Sequence, residues 1–121
     1  MIFGVGTDII EISRIKKVYN KRGLKILKRL FTQREIDSMN LTVSTVAGRF
    51  AAKEAVVKAL GVGIGLVSWK DVEIIKDRLG KPRVYLRGNA QKRARSLGVS
   101  RIHLSISHSK SNAIAYVIAE G

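Results

Sequence analysis

The chain has 121 residues, a formal net charge of +14 and no cysteine, so we expect one domain over residues 1–121, with neither disulfides nor cysteine-based zinc sites, and a cytoplasmic location. Its apolar and charged fractions of 45% and 26% are those of a globular protein and not of a disordered one. The first ten residues lack a basic segment and are too few to cross a bilayer, so we expect no signal peptide and no membrane span.

The N-terminal third changes from strand to helix periodicity. Residues 2–10 are apolar and glycine-rich, which predicts a buried strand. Beyond Glu11 the apolar residues recur at helical spacing, which predicts a helix to about Asn20. Gly23 breaks or bends that helix before a second helical stretch over residues 24–30.

Capping patterns mark the next two helices. Residues 32–35 fit a capping box that begins a short helix at Ile36. The longest helix is expected over residues 44–60, because this segment is rich in alanine and Gly61 is placed to stop it. Residues 61–65 then form a loop.

The remaining half of the chain alternates as strands do, apart from one basic helix. Strands are predicted at 72–75, 84–86, 102–107 and 113–118, and the helix at 89–97. A turn over 77–82 joins the first two of these strands. The order β-α-α-β-β-α-β-β predicts an α+β fold, with a mostly antiparallel sheet packed against one long helix and shorter ones.

Asp8 is the first candidate site residue. It lies near the end of the first predicted strand, on the face that strand alternation assigns to Gly4, Gly6 and Ile10. A carboxylate on such a face costs free energy when it is buried without a partner. Two interpretations stay open: an acid that caps or begins the following helix, and a carboxylate that binds a ligand.

Glu54 interrupts an apolar stripe of the longest helix. Val46, Phe50 and Val57 follow the same stripe at three- and four-residue steps, and Lys58 lies one turn beyond Glu54. An i,i+4 ion pair would explain why a lysine follows Glu54 by four residues, but not why a charged residue lies within an apolar stripe. A metal or a charged ligand explains that position better. Two carboxylates from separate elements, completed by water and phosphate oxygens, suit Mg²⁺.

Two further segments are suited to phosphate groups. The three glycines of residues 61–65 allow close approach of a ligand, although the segment lacks the Lys-Ser/Thr of a P-loop and follows a helix. A helix stop and loop is the alternative. Residues 105–110 place three hydroxyls, a histidine and a lysine at a strand end, which is typical of a phosphate-binding turn but also of an ordinary serine-rich hairpin.

Basic residues crowd the first helical region, where no acid occurs from residue 12 to residue 34. They are Arg14, Lys16, Lys17, Lys21, Arg22, Lys25, Lys28 and Arg29. The excess charge indicates an anionic partner, and nucleic acid, an anionic membrane, an acidic protein and a phosphorylated ligand all qualify. We favour an acidic docking protein over nucleic acid, because the few aromatic residues do not alternate with the basic ones as stacking platforms would.

Taken in order, these segments resemble the holo-[acyl-carrier-protein] synthases, the small bacterial members of the 4′-phosphopantetheinyl transferases. The resemblance rests on GVGTDIIEISRI at 4–15, GRFAAKEAVVKALGVGIG at 48–65 and HLSISHSKSNAIAYVI at 103–118, and DVEIIKDRLGKPRVYL at 71–86 also fits. It implies the fold of that family and transfer of 4′-phosphopantetheine from coenzyme A to a serine of apo acyl carrier protein, in fatty acid biosynthesis. The other product would be adenosine 3′,5′-bisphosphate.

The resemblance also implies individual roles. Asp8 and Glu54 would hold Mg²⁺ and, with Lys58 beside the coenzyme A phosphates, form the catalytic set. The residues implied around the nucleotide end of coenzyme A are Arg49, Gly61, Gly63, Gly65, Ser107, His108 and Ser109. Those implied to receive the acidic carrier protein are Arg14, Lys17, Lys21 and Arg22. The family is trimeric with active sites between subunits, so a homotrimer is implied as well.

Two alternative functions remain. A basic module that binds RNA or the ribosome would explain the charge, but neither Glu54 in an apolar stripe nor the three ordered blocks. A metal-dependent phosphohydrolase acting on a nucleotide would share the metal site, but it needs no large basic docking surface.

Overall fold

The computed structural model describes residues 1–121. Its strands are β1 (Ile2–Glu11), β2 (Val72–Lys76), β3 (Pro82–Leu86), β4 (Arg101–His108) and β5 (Asn112–Glu120). Its helices are α1 (Ile12–Arg22), α2 (Leu24–Leu30), α3 (Gln33–Ser38), α4 (Val43–Ala59) and α5 (Gly88–Leu97), and a 3₁₀ turn at Trp69–Asp71 precedes β2. None of the helices has the length and hydrophobicity needed to cross a membrane.

The predicted α+β fold is confirmed, and one part of the predicted order is wrong. Four α-helices separate β1 from β2, which agrees with the four helical segments predicted individually, whereas the predicted element order counted only two. Gly23, at φ 58°, separates α1 from α2, and the capping box of Thr32 and Glu35 begins α3 as a helix of its own. The predicted capping box is therefore present. Gly23 ends α1 before α2 begins, and Thr32 lies between α2 and α3.

All strand pairing is antiparallel. β5 lies between β1 and β4 in a three-stranded sheet, and β2 pairs only with β3 in a separate hairpin. In the larger sheet Asp8 of β1 lies opposite Ala115 of β5, which lies opposite Ile106 of β4. These three residues therefore form one row across the sheet, and this row relates the parts of the site described below.

Helix α4 lies at the centre of the molecule. Within residues 51–60 only Glu54 and Lys58 are not buried. β1 crosses α4 at backbone contact, because a Cβ at Gly4 would lie 1.9 Å from the Ala59 carbonyl oxygen and one at Gly6 would lie equally close to that of Ala55. Real Cβ atoms do not approach this closely, so β1 can pack this tightly against the helix only with glycine at both positions.

Candidate active site

Asp8 lies well inside β1 and on the face that packs against α4. It pairs with Ala115 of β5, and its side chain is only 17% exposed. The residue that precedes α1 in the N-cap position is Glu11, which makes no side-chain capping bond. The interpretation of Asp8 as a helix cap is therefore wrong, and the carboxylate is held by the strand against the central helix.

Lys58 forms its ion pair with Asp8. The Lys58 Nζ donates to Asp8 Oδ1 at 3.2 Å and to the backbone oxygen of Thr7 at 3.0 Å. Glu54 and Lys58 do not form the i,i+4 ion pair considered above, because the salt bridge of Lys58 reaches across to β1. An ammonium group has three N–H donors, so Lys58 keeps one for a ligand.

Glu54 is half-buried beside the same space. Its burial raises the pKa of its carboxyl group, the nearby charge of Asp8 raises the pKa further, and Lys58 opposes the shift. Two carboxylates are thus held close enough to repel each other, which a bound cation would relieve. No third Asp, Glu, His or Cys joins them.

This donor set fits Mg²⁺. The ion prefers oxygen ligands, is commonly bound by one or two carboxylates, and takes the rest of its octahedral shell from water and substrate phosphates. The observation in favour is that Lys58 bonds Asp8 from α4, one helical turn after Glu54, and that the Asp8 charge contributes to the raised pKa of Glu54.

A polar cavity of about 240 Å³ lies further along the same face of the sheet. Its walls include Arg49 of α4, Lys76 of β2 and His108 of β4, together with the hydroxyls of Ser44 and Thr45. The cationic side chains and hydroxyls are the groups that bind phosphate oxygens. Two of the predicted nucleotide residues, Arg49 and His108, are therefore brought together here.

The cavity and the carboxylate pair are within reach of one ligand. Ile106 lines the cavity and packs on Gly48 of α4, where a Cβ would lie 2.9 Å from the Ile106 Cγ2. Ile106 and Asp8 are two strands apart on one row, and strands are spaced about 4.8 Å apart, so the separation is roughly 10 Å. An extended nucleotide diphosphate can span this distance.

The other predicted nucleotide residues lie apart from this cavity. Ser107 alternates with His108 and therefore points to the opposite face of the sheet. The Ser109 hydroxyl accepts bonds from the backbone N–H groups of Ser111 and Asn112 and closes the β4–β5 turn. Their nucleotide roles stay predictions.

The glycine loop has a structural explanation at two of its three positions. Gly61 has φ 68° and Gly65 has φ 123°, a backbone conformation that residues with a side chain rarely adopt. Gly63 is surrounded by open space, and a Cβ there would meet nothing within 4 Å. A helix stop and loop therefore accounts for the first two, and a role in cofactor binding stays a prediction for all three.

The basic region forms an exposed cationic surface. Helix α1 has no buried residue, and Arg14, Lys17, Lys21 and Arg22 are all exposed. None of the eight basic residues between Arg14 and Arg29 forms an ion pair within the chain. Their charge is therefore available to a partner.

An apolar cavity of about 260 Å³ separates this surface from the carboxylate pair. Arg14 and Arg29 are among its lining residues, and so are Ile10 of β1 and Phe50 of α4. Ile10 follows Asp8 by two residues on the same face of its strand, and Phe50 precedes Glu54 by one helical turn. A protein bound to α1 would therefore lie next to the carboxylates.

The buried ion pair of Lys53 and Glu35 lies beside the site and was not predicted from the sequence. Lys53, 0% exposed, and Glu35, 1% exposed, lie with the Lys53 Nζ 2.8 Å from Glu35 Oε1. A lysine within an alanine-rich helix segment, one turn after Arg49, was an available signal. Glu35 was interpreted only as a capping residue, which it also is. Lys76, Ser44 and Thr45 also line the polar cavity. They were not predicted as site residues, because their spacing in the sequence matches no binding motif.

Comparison with known proteins gives a consistent result. Residues 4–117 match the model of the 4′-phosphopantetheinyl transferase superfamily. A holo-[acyl-carrier-protein] synthase of Natranaerobius thermophilus is 52% identical over 98% of this chain and 97% of its own length. Among solved structures, the holo-[acyl-carrier-protein] synthase of Neisseria meningitidis has a TM-score of 0.91 at 38% identity, with both chains fully covered. That of Helicobacter pylori, in complex with coenzyme A, has a TM-score of 0.87 at 35% identity and covers 96% of this chain and 99% of its own.

The raised pKa of Glu54 predicts a pH-dependent effect of Glu54→Gln on stability. The folded protein binds the Glu54 proton more tightly than the unfolded chain, so this residue lowers stability as the pH rises through its folded pKa. Without divalent cations, Glu54→Gln should be more stable than the wild type at neutral pH. The gain should vanish as the pH falls below the ordinary glutamate pKa of about 4.3.

Urea unfolding in the presence of a chelator, at neutral pH and near pH 4, measures this effect. Asp37→Asn is the matched control, since Asp37 is an exposed carboxylate that bonds only the Gln33 side chain. A Glu54→Gln variant that is less stable than the wild type at neutral pH would contradict the raised pKa of Glu54.

Proposed function

The chain belongs to the 4′-phosphopantetheinyl transferase superfamily, and we propose that it transfers the 4′-phosphopantetheine group of coenzyme A to a serine of apo acyl carrier protein. Adenosine 3′,5′-bisphosphate is the second product, and the reaction serves fatty acid biosynthesis. The observation that carries the proposal is the ion pair of Asp8 with Lys58, one helical turn from Glu54 on α4, on the side of the sheet that also carries a polar cavity of the kind that binds phosphates.

Asp8 and Glu54 are proposed to hold Mg²⁺. When bound, the ion supplies positive charge to the pyrophosphate of coenzyme A and makes the phosphorus easier to attack. The two residues come from β1 and α4, whose close contact at Gly4 and Gly6 fixes the distance between them. They therefore offer a preformed pair of oxygen ligands.

The remaining residues bind and orient the donor. Lys58 is anchored by Asp8 and the Thr7 backbone oxygen, so its free N–H donor points from a fixed position and stabilises negative charge on the phosphate. Arg49 and His108, with Lys76, are proposed to bind the nucleotide end of coenzyme A in the polar cavity. Because β1, α4 and β4 all contribute, residues 1–121 are proposed to act as one catalytic domain.

The acidic carrier protein is proposed to dock on α1. The exposed cations Arg14, Lys17, Lys21 and Arg22 form no internal ion pair, which favours association with an acidic surface. The adjoining apolar cavity lies between α1 and the carboxylates, so a docked carrier can present its serine to the donor phosphate. The cytoplasmic location stays a prediction from composition.

A homotrimer is proposed from the outer face of the three-stranded sheet. That face carries Val5 and Ile9 of β1 and Ile114 and Tyr116 of β5, which are 52%, 65%, 41% and 50% exposed. Neighbouring apolar side chains that stay exposed mark a surface where another protein packs. Ser107 lies on this face, so it would contact coenzyme A only if the nucleotide binds between subunits.

Removing either carboxylate should abolish transfer. Asp8→Ala and Glu54→Ala each remove half of the oxygen pair while relieving repulsion, so the fold should be retained. The assay incubates each variant with coenzyme A, Mg²⁺ and an apo carrier protein and measures the gain in carrier mass, with circular dichroism to confirm folding. Turnover like that of the wild type at saturating Mg²⁺, in either variant, would contradict the assignment.

Reversing charge on α1 should weaken carrier binding and leave coenzyme A binding nearly unchanged. Arg14 and Arg22 are two turns apart on a regular helix, and exposed charges mainly set the association rate and its salt dependence. The apparent KM for the carrier should therefore rise in Arg14→Glu/Arg22→Glu, and wild-type transfer should slow at higher salt.

The matched control is Lys70→Glu/Lys92→Glu, which makes the same charge change at two exposed positions outside α1. RNA binding by the wild type and by both double variants is measured at physiological salt. An unchanged carrier KM, with tight RNA binding that only the α1 variant loses, would favour the nucleic-acid function instead.

Placing charge on the outer sheet face should dissociate the trimer. Ile9→Asp/Tyr116→Asp introduces two carboxylates that a subunit interface would bury without partners. Sedimentation should show a trimeric wild type and a monomeric variant with reduced transfer. A wild type that sediments as a monomer at assay concentration and is fully active would contradict the trimer.

A further inference from the structure

We infer that Glu35 and Lys53 are positioning residues for the transfer reaction: the buried pair fixes the rotation of α4, which places Glu54 opposite Asp8 and Arg49 in the polar cavity. This inference rests on the proposed function, because it assigns the pair a role in aligning the groups of that site.

The pair joins α4 to the open edge of β2. β2 pairs with β3 on one side only, and its other side faces α3 and α4. The N–H of Ile74 donates to Glu35 Oε2 at 3.0 Å, and the Ile74 carbonyl accepts from Arg49 Nη1 at 2.9 Å. The carbonyl of Val72 accepts from Lys53 Nζ. Side chains thus replace the strand that would otherwise cover this edge.

Lys53 has no freedom within this arrangement. Besides Glu35 and Val72, its Nζ donates to the Trp69 backbone oxygen at 2.9 Å, so its three donors have three acceptors. Glu35 is equally constrained, since it also accepts from the Thr32 N–H at 3.0 Å. A rotation of α4 would break several buried hydrogen bonds at once, each of which is costly to leave unmade.

The helical repeat transmits this constraint to the reacting groups. Arg49 and Lys53 are four residues apart and lie on one stripe of α4, whereas Glu54 and Lys58 form a second stripe. Successive residues are offset by about 100° around a helix, so fixing Lys53 toward β2 directs Glu54 toward β1. Arg49 is held directly by Ile74 and forms one wall of the polar cavity.

Stability alone is a weak explanation for the pair. Replacing both members of a buried ion pair by neutral groups is often neutral or stabilising, whereas removing one member leaves an unpaired buried charge. The cluster of hydrophobic residues around α4 is large and alanine-rich, so a simple packing contact would have served to hold the helix. An ion pair with directional hydrogen bonds restricts rotation, which packing of small alanines does not.

The test uses the neutral double variant Glu35→Gln/Lys53→Met. Its glutamine oxygen can still accept from the Ile74 N–H, and its amide can donate to a carbonyl that Lys53 leaves. We expect a folded protein with a urea midpoint close to that of the wild type. Its kcat should fall at least roughly tenfold, since misplacement by about 1 Å can cost up to ~10²-fold.

Two further measurements separate positioning from a general loss of structure. The affinity for coenzyme A, measured by calorimetry, should weaken, and the Mg²⁺ concentration for half-maximal rate should rise. The KM for the carrier should stay unchanged because α1 is untouched. Glu73→Gln is the matched control: Glu73 is a buried carboxylate paired with Arg34 and Arg87, and its side chain does not bond to α4. It should lose stability but keep its kcat per folded molecule.

Each outcome decides the inference. A folded double variant with wild-type kcat and coenzyme A affinity would show that the pair is only structural, and so would an unfolded double variant, because the pair would then be needed for the fold itself. A fall in kcat equal to that of Glu73→Gln would have the same meaning. If the wild type transfers nothing to the carrier, the proposed function fails. Weaker coenzyme A binding by the double variant would still support the inference that the pair positions Arg49 in the polar cavity.

Discussion

The structure depends on how α4 is held between two unlike neighbours. On one flank, β1 lies against the helix backbone, which is possible only because Gly4 and Gly6 carry no side chain. On the other flank, Glu35, Arg49 and Lys53 bind the open edge of β2. Close contact fixes the distance of the helix from one element, and directional hydrogen bonds fix its rotation toward the other. The position of every group on α4 that faces the site follows from these two constraints.

This arrangement places the carboxylate of the proposed metal site and the arginine of the polar cavity at different positions along α4. The stripe of Glu54 and Lys58 faces Asp8 across the tight contact with β1, where the electrostatic repulsion of two carboxylates favours a cation. One turn earlier, Arg49 faces the polar cavity, where phosphate groups are favoured. The unpaired cations of α1 lie outside both, so an acidic protein can approach without competing for the groups proposed to bind the donor. The separation has a physical basis, since the Lys58 cation is paired with Asp8 whereas the cations of α1 have no ion-pair partner within the chain.

Much of the fold could be predicted from local patterns. The bounds of β1 and α4 agree with the structure to within about two residues, because alternation and alanine content act over short distances. The capping box at Thr32 is present for the same reason. The four helical segments before β2 were each predicted from local patterns, and only the predicted element order, which counted two helices there, was wrong. Of the residues predicted for the site, Asp8 and Lys58 form an ion pair, Arg49 and His108 line one cavity, and Ser107 faces the other side of the sheet. Their roles stay predictions.

Residue order alone was enough to predict most of the helices and strands, the excess of basic charge on the first helix, and the two carboxylates on otherwise apolar faces. These are properties of residue order and periodicity, which need no knowledge of neighbours in space. Contacts in three dimensions were needed to show that Lys58 pairs with Asp8 and not with Glu54. They also show that Lys53 is wholly buried and that Lys76 lines the polar cavity. The reason is that the hydrogen bonds of these two lysines reach far along the chain, from Lys58 to Asp8 over 50 positions, from Lys53 to Glu35 over 18 and from Lys53 to Trp69 over 16. No local pattern encodes which distant backbone oxygen or carboxylate will meet a given ammonium group.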